Sequence, residues 1–237
     1  MTKSDVANRL AALYERRPLQ GYARWKVRTD PVYRAALDVL RGRTTPLLDL
    51  GCGIGLLPFF LREHGYTAPI LGIDFDERKV DVARKAATRY RGIDFIAGDA
   101  REPLPEGHDV VLLDILHYLD PASRQQILAN VVHAVAPGGV VVIRQVIHDG
   151  SWRARFTAFV DGAARVFKWM KAERLQLPTR EEVTGAFGEG FEAEVRPLWG
   201  RMLPYNNYLF VFRRRGPSPG AARHPLPAER GEGQHGR

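Results

Sequence analysis

The chain has 237 residues, of which 45% are hydrophobic and 26% are charged, and its formal net charge is +8. These values are ordinary for a soluble globular protein, and the length allows one α/β domain with appendages. Cys52 is the single cysteine, which excludes an internal disulfide and a cysteine-rich zinc site and fits a reducing compartment. Because the start lacks a signal peptide's apolar core and no run of about 18 apolar residues occurs, we expect a cytoplasmic protein.

Residues 1–45 are predicted to form a helical segment before the main domain. Apolar residues at helical spacing predict a helix over 5–17, and Pro18 is expected to end it. A stretch dense in aromatic and basic residues follows at 21–29. An Asp-Pro pair then predicts the start of a helix that runs over about 30–41.

Strands and helices alternate from residue 46 onward. Strands are predicted at 46–50, 69–74, 93–97, 109–114 and 140–146, and helices at about 54–64, 77–89 and 121–136. A short helix at about 180–187 precedes two strands with no helix between them, at about 191–198 and 206–213. This order predicts an α/β fold with a Rossmann-like, doubly wound sheet of seven strands, mostly parallel, with an antiparallel C-terminal pair at its edge.

The first predicted strand ends in a glycine-rich turn, Asp49-Leu50-Gly51-Cys52-Gly53-Ile54-Gly55, and a helix follows it. Such a turn lets a ligand approach the backbone, and the helix N-terminus adds a partial positive charge. A dinucleotide-binding turn requires a third small residue where Leu56 stands here, so the spacing is wrong for NAD(P). It suits a ligand without a pyrophosphate. Asp74 closes the second strand, where an acid can bind the hydroxyls of a ribose.

The turn resembles motif I of the class I S-adenosylmethionine-dependent methyltransferases. Four further segments resemble that family in order: Gly72–Asp76 at the end of strand two, Gly98-Asp99-Ala100 after strand three, Asp109–Asp114 at strand four, and Pro137-Gly138-Gly139 before strand five. In that family the seventh strand is antiparallel to its neighbours, which matches the antiparallel C-terminal pair predicted here. The resemblance covers roughly 46–146 in motifs and 190–213 in pattern, and it implies S-adenosyl-L-methionine as the cofactor.

The resemblance also implies a role for each matching position. The three glycines of the turn would admit the methionine part of the cofactor, and Asp49 would hold the turn. Asp74 would accept the ribose hydroxyls, Phe75 would stack on adenine, and Asp99 with the Ala100 amide would bind the adenine edge. The cofactor-binding candidates are Asp49, Gly51, Gly53, Gly55, Asp74, Phe75, Asp99, Ala100 and Asp114. The alternatives are that Asp49 caps a loop, that Phe75 belongs to the core, and that Asp114 is an ordinary strand-end acid.

Two histidines are candidates for a catalytic base. Methyl transfer from a sulfonium needs a base only when the acceptor must lose a proton. His117 follows strand four and His148 follows strand five, at the end of the sheet where such sites lie, and an ordinary imidazole pKa of about 6.5 suits the task. A loop or capping role is the alternative for both residues. We expect no metal.

The methyl acceptor is predicted to be a small molecule, with aromatic or lipid-like acceptors, free or carrier-linked, included. Base-methylating enzymes carry an Asn/Asp-Pro-Pro-Tyr/Phe loop after strand four, and Asp114-Ile115-Leu116-His117 stands there instead. The segments 22–33 and 204–211 resemble small bacterial methyltransferases of pigment and aryl-polyene-type lipid biosynthesis. The alternatives are a nucleic-acid methyltransferase and a noncatalytic cofactor-binding protein.

The ends of the chain carry its positive charge, with +6 over 1–46 and +4 over 213–237 against −2 between them. Basic ends favour an acidic partner such as nucleic acid, anionic lipid or a carrier protein, or are simply solvated arginines. An amphipathic helix is predicted at 151–172. Three interpretations are open for it: an ordinary helix packed on the domain, a substrate lid, or a peripheral contact with a membrane. The domain is predicted to span 46–213, and the basic segment 214–237 to be a disordered tail.

The aromatic and basic residues of the N-terminal segment are predicted to cover the site from the other side. Tyr14, Tyr22 and Trp25 would close the pocket, and Arg24 or Lys26 would meet the cofactor carboxylate. The oligomeric state is not predicted.

Overall fold

The computed structural model describes residues 3–148, 177–199 and 206–216. Its helices are α1 (Lys3–Ala11), α2 (Arg17–Thr29), α3 (Val32–Leu40), α4 (Leu56–Glu63), α5 (Glu77–Ala87), α6 (Pro121–Ala134) and α7 (Arg180–Gly185), with a 3₁₀ helix at Leu116–Tyr118. Its strands are β1 (Leu47–Leu50), β2 (Ile70–Asp74), β3 (Ile93–Ala97), β4 (Asp109–Leu113), β5 (Val140–Val146), β6 (Phe191–Pro197) and β7 (Asn207–Arg214).

The strands form one seven-stranded sheet in the order β3-β2-β1-β4-β5-β7-β6. The first five strands pair in parallel, whereas β7 lies antiparallel between β5 and β6. The predicted fold class is confirmed. Because the chain order reverses between β1 and β4, the loops after these strands diverge and leave a crevice at their carboxyl ends.

Both faces of the sheet are covered by helices. On β5, Val140 and Val142 contact the core layer built with α1 to α5, and Val141 and Ile143 contact the layer built with α6 and α7. Strands buried on both faces are mostly apolar, which is why β1, β4 and the first half of β5 could be recognised as hydrophobic runs.

The N-terminal segment differs from the prediction of a single helix over 5–17. Helix α1 ends at Ala11, and Pro18 lies in the first turn of α2. Proline has no N–H to donate, and the N–H groups of a first helical turn have no partner within the helix, so Pro18 begins a helix here rather than ending one. The aromatic and basic stretch 21–29 is therefore helical.

Several predicted features fall outside the described residues or at their edge. The predicted helix at 151–172 lies outside them, as do residues 217–237 of the predicted tail. Strand β7 extends to Arg214, one residue past the predicted end of the domain. Among the helices that the structure describes, none is long and apolar enough to cross a membrane.

One buried ion pair holds the amino end of β4. Asp109 is fully buried, and its carboxylate accepts from Arg43 Nε at 2.5 Å and Nη2 at 2.8 Å and from the Val140 amide at 2.9 Å. It therefore ties the segment before β1 to β4 and β5. Removing one partner of a buried pair leaves an uncompensated charge.

We expect Asp109→Ala to lower the free energy of unfolding by about 3 to 5 kcal/mol in urea denaturation. Asp38→Ala is the matched control, because the Asp38–Arg41 pair lies on the surface, with side chains 54% and 68% exposed. The control should change the free energy by about 0.5 kcal/mol or less. Equal effects of the two substitutions would contradict a structural role for the buried pair.

Candidate cofactor and active site

The glycine turn connects β1 to α4 at the reversal point of the sheet. Gly51, Gly53 and Gly55 all have positive φ, of 74°, 56° and 82°. A Cβ atom on Gly51 would lie 2.3 Å from the Ile115 side chain, and one on Gly55 would lie 2.7 Å from the Phe95 ring. A Cβ on Gly53 would meet nothing within 4 Å. Gly51 and Gly55 are therefore required for internal packing, and Gly53 faces open space.

Tyr14 supports this turn from the N-terminal helices. Its hydroxyl donates to the Ile54 carbonyl at 3.0 Å, and its side chain is buried in the core. Burial raises the pKa of Tyr14 well above its ordinary value, so the hydroxyl remains a donor at every physiological pH. Tyr14 thus lies behind the glycine turn, whereas Trp25 is 48% exposed on α2.

Asp74 joins the ends of β1 and β2. One carboxylate oxygen accepts from the Gly53 amide at 2.8 Å, and the other accepts from the Asp76 amide at 2.9 Å. A carboxylate offers about four lone-pair directions, so about two remain for a ribose diol. The side chain is buried and fixed, which is the state expected of a preorganised binding group.

The two segments predicted to hold adenine meet at the same end of the sheet. Phe75 is 80% exposed, which excludes the interpretation that it belongs to the core. The Gly98 amide donates to the Asp74 carbonyl at 3.1 Å and brings the turn with Asp99 and Ala100 beside Phe75. Hydrogen bonds from Arg101 lower the pKa of Asp99 and keep this carboxylate ionised.

Asp49 is a buried carboxyl group at the end of β1. It is 3% exposed, and its Oδ2 atom is buried without a hydrogen-bond partner. Burial, and secondarily the charge of Asp74, raises the pKa of Asp49 to about 7. An unpaired acid beside the open face of Gly53 is suited to a cationic group of a ligand, whose charge would favour the carboxylate.

The surroundings of His117 favour a neutral ring that donates a hydrogen bond, rather than a catalytic base that accepts a proton. It is 4% exposed, and burial lowers its pKa to about 4, against a smaller opposing effect of the hydrogen bond with Gln145. Gln145 Nε2 lies 2.9 Å from His117 Nδ1 and donates to the Val146 carbonyl at 3.0 Å. The amide therefore presents N–H to Nδ1, and the ring proton lies on Nε2. His148 is exposed after β5, where its amide donates to the Pro178 carbonyl at 3.0 Å.

Asp114 is paired with a charged side chain and makes no hydrogen bond with the other cofactor-binding candidates among the described residues. It follows β4 with a φ of 61°, and its carboxylate is paired with Arg144 of β5. Arg144 also contacts Asp30 at 3.2 Å, and Asp30 contacts Lys26 at 2.6 Å. Lys26, predicted to meet the cofactor carboxylate, is therefore paired with Asp30. Arg24, the other candidate for that role, donates to Asn8 at 3.0 Å.

Three residues of the site could not be found from the sequence. Arg144 and Gln145 lie within an apolar strand, and their partners are far away in the chain. Asn130 of α6 donates to the carbonyls of residues 100, 101 and 102 at 3.0, 2.9 and 2.9 Å and so fixes the turn after β3. A polar residue on a surface helix gives no signal of such a contact.

The sequence matches known proteins over the part that holds this crevice. Residues 47–139 match the family described as a methyltransferase domain. Carboxy-S-adenosyl-L-methionine synthase from Shewanella sediminis is 27% identical over 105 residues, 42% of this chain and 43% of that protein. The Escherichia coli protein of the same name is 29% identical over 107 residues, 43% of each chain. The chain thus spans less than half the length of these curated relatives.

Solved structures show the same fold over most of the chain. Human N-acetylserotonin methyltransferase in complex with SAM gives a TM-score of 0.61 at 19% identity, over 90% of this chain and 57% of that one. Magnesium protoporphyrin IX methyltransferase from Synechocystis with bound SAH gives 0.62 at 16% identity, over 89% and 93%. The sheet, the glycine turn with Asp74 and the family match define a methyltransferase domain. In sequence over residues 47–139, and in fold over most of its length, the chain is similar to the class I S-adenosylmethionine-dependent methyltransferases.

We expect Asp49→Asn to stabilise the free protein at alkaline pH. The folded chain holds the Asp49 proton up to about pH 7, whereas the unfolded chain releases it near 3.8, so the free energy of unfolding falls as pH rises between these values. The neutral amide removes this loss. Denaturation at pH 8 should show a gain of about 2 to 4 kcal/mol that shrinks towards pH 4. Asp38→Asn is an exposed control and should show neither the gain in the free energy of unfolding nor its pH dependence. A pH-independent decrease in that free energy in Asp49→Asn would contradict the raised pKa of Asp49.

We expect the ring of His117 to remain neutral, with its proton on Nε2, from pH 8 down to about pH 5, because burial lowers its pKa to about 4. The ¹⁵N shifts of the imidazole in a multiple-bond correlation spectrum report both the charge and the tautomer. The exposed His148 serves as the internal comparison. A midpoint near the ordinary value of 6.5 for His117 would restore it as a candidate base.

Proposed function

We propose that the protein is a methyltransferase that moves a methyl group from S-adenosylmethionine to a small-molecule, aromatic or lipid-like acceptor. The observation that carries this proposal is the Asp74 carboxylate, held between the Gly53 and Asp76 amides beside an exposed Phe75. A buried acid with free lone pairs next to an exposed aromatic ring is suited to a ribose and its base. The family match supports the same cofactor.

The residues present fit this cofactor on independent grounds. The unpaired Oδ2 of Asp49 is suited to a cationic group, and the open face of Gly53 leaves room for the amino acid part. Asp74 would hold the ribose, and Phe75 and the turn at Asp99 would hold adenine. When bound, the cofactor supplies an activated sulfonium methyl group. The protein's own contribution is to orient the acceptor and exclude water.

The acceptor is proposed to be a small molecule, free or carrier-linked, rather than nucleic acid. Two of the similar folds belong to proteins named for N-acetylserotonin and magnesium protoporphyrin IX. The matches to carboxy-S-adenosyl-L-methionine synthases cover 42% and 43% of the chain, so they bear on part of it and not on the whole reaction. Cys52 is the single cysteine and cannot form an internal disulfide, which fits a reducing compartment such as the cytoplasm. A peripheral contact with a membrane remains part of the proposal for lipid-linked acceptors.

Calorimetry with S-adenosylhomocysteine tests the cofactor site. The wild type should bind, and Asp74→Asn should weaken binding by about tenfold or more, because its amide loses an acceptor for the ribose or the Gly53 amide. Phe75→Ala should weaken binding by about fivefold through lost stacking. Asp94→Asn on the exposed face of β3 is the matched control and should bind within about twofold of the wild type.

The outcomes separate the competing functions. Absence of binding by the wild type, or equal binding by Asp74→Asn, would sink the cofactor assignment. Transfer of a labelled methyl group should then be measured with phenolic, acyl-carrier-bound and RNA acceptors. Saturable RNA binding that persists at moderate salt, with labelled RNA as the product, would replace the small-molecule proposal. Binding without transfer to any class would favour a noncatalytic protein.

A further inference from the structure

A chain of four charged side chains runs from the N-terminal helices into the sheet. Lys26, Asp30, Arg144 and Asp114 alternate in sign, and the side chains of Asp30 and Arg144 are 9% and 6% exposed. Burial alone would raise the pKa of Asp30, but Arg144 and Lys26 bring it below its ordinary value. Taking such ions out of water costs several kcal/mol each, and apolar replacements are often as stable. Stability alone therefore does not account for this cluster.

The cluster ends on a residue with an uncommon backbone conformation. Asp114, with a φ of 61°, is the one non-glycine residue of the described chain with a positive φ. Such a conformation costs about 1 to 3 kcal/mol and persists where the surroundings impose it. Here the imposed conformation turns the chain directly after β4 while Arg144 holds one carboxylate oxygen.

The same turn lies against the cofactor crevice. The Ile115 side chain lies so close to Gly51 that a Cβ there would be 2.3 Å from it. Asp114 is thus one residue from the contact with the glycine turn, at the carboxyl end of the strand beside β1. Its side chain is 27% exposed, and its Oδ1 atom makes no hydrogen bond and is buried in the free protein, so an acceptor reaches this oxygen only by displacing what covers it. A held carboxylate with one unpaired oxygen lies next to the turn predicted to hold the methionine part.

We propose that Asp114 faces the transferred methyl group and accepts the proton of the methyl acceptor, and that Arg144, held by Asp30, is its positioning residue. This inference rests on the proposed function. Asp114 is then a catalytic base and not a cofactor-binding residue. It replaces His117 as the candidate base, because Nδ1 of His117 already accepts a hydrogen bond.

The step balances without a further reactant. A lone pair of the acceptor's oxygen or nitrogen forms the new bond to the methyl carbon. The carbon–sulfur bond breaks, and its electron pair remains on sulfur, which becomes a neutral thioether. The acceptor's proton passes to Asp114 Oδ1 and leaves later to solvent. The acceptor must therefore bring an O–H or N–H group, and an acceptor that presents a carboxylate would be repelled.

The test uses S-adenosylmethionine with a ¹³C-labelled methyl group, and it needs no acceptor. The resonance of the bound methyl group reports nearby charge. Asp114→Asn should shift this resonance away from that of the wild type while leaving S-adenosylhomocysteine affinity within about twofold by calorimetry. Asparagine tolerates a positive φ, so the variant should fold. Arg144→Met should shift the resonance as well, and Arg144→Lys should restore part of the wild-type position.

The matched control is Asp94→Asn, which removes one exposed carboxylate from β3 and should leave the resonance unchanged. A wild-type resonance in Asp114→Asn, with the cofactor bound, would overturn this inference alone. A shift in Asp114→Asn with none in Arg144→Met would remove Arg144 as the positioning residue. Failure of the wild type to bind either ligand would overturn the proposed function itself.

Discussion

The hydrogen bond from the Gly53 amide to Asp74 sets the geometry of the whole crevice. It crosses from the turn after β1 to the end of β2, so the two strand ends cannot separate without leaving a buried carboxylate oxygen unpaired. The second oxygen holds the Asp76 amide and thereby the start of α5. The negative charge fixed in this way also helps to raise the pKa of Asp49. The Asp74 carboxylate therefore positions the glycine turn and Phe75, and its charge makes a cation beside Asp49 more favourable.

Asp49, Asp30 and Asp114 lie in two different electrostatic environments. Asp49 has no cation beside it among the described residues, and its charge is favoured only when a positive ligand arrives. Asp30 and Asp114 are compensated within the protein by Lys26 and Arg144. An uncompensated acid is suited to a cationic cofactor, whereas Arg144 and Lys26 hold the pKa of Asp30 below its ordinary value and keep that carboxylate charged. Opposite environments for like groups are a common way to divide roles within one site.

The sequence was sufficient for the features that have a local cause. Strands buried on both faces are apolar runs, and positive φ at closely spaced positions requires glycine, so the sheet and the turn could be predicted within a few residues. Asp74 followed from its place at a strand end, and Phe75 from the resemblance to the methyltransferase family. The cofactor roles given to these residues remain predictions.

The missed features depend on contacts between distant parts of the chain. Pro18 fits either the end or the start of a helix, and the packing of α2 decides between them. Arg144 interrupts an apolar strand, and nothing local indicates that Asp30, far earlier in the chain, balances its charge. His117 looked like a base because a strand-end histidine near neutral pH has that chemistry. Its burial and its bond to Gln145 are tertiary properties.

The cofactor residues and the charged cluster lie differently with respect to the region that matches the methyltransferase domain. The residues assigned to the cofactor, from Asp49 to Ala100, lie within the matched region 47–139. Of the residues of the charged cluster, Lys26, Asp30 and Arg144 lie outside it, and Asp114 alone lies within it. The family match therefore describes how the cofactor would be held. Under the proposal for Asp114, the acceptor would meet the turn after β4, whose positioning residues Arg144 and Asp30 lie outside the matched region.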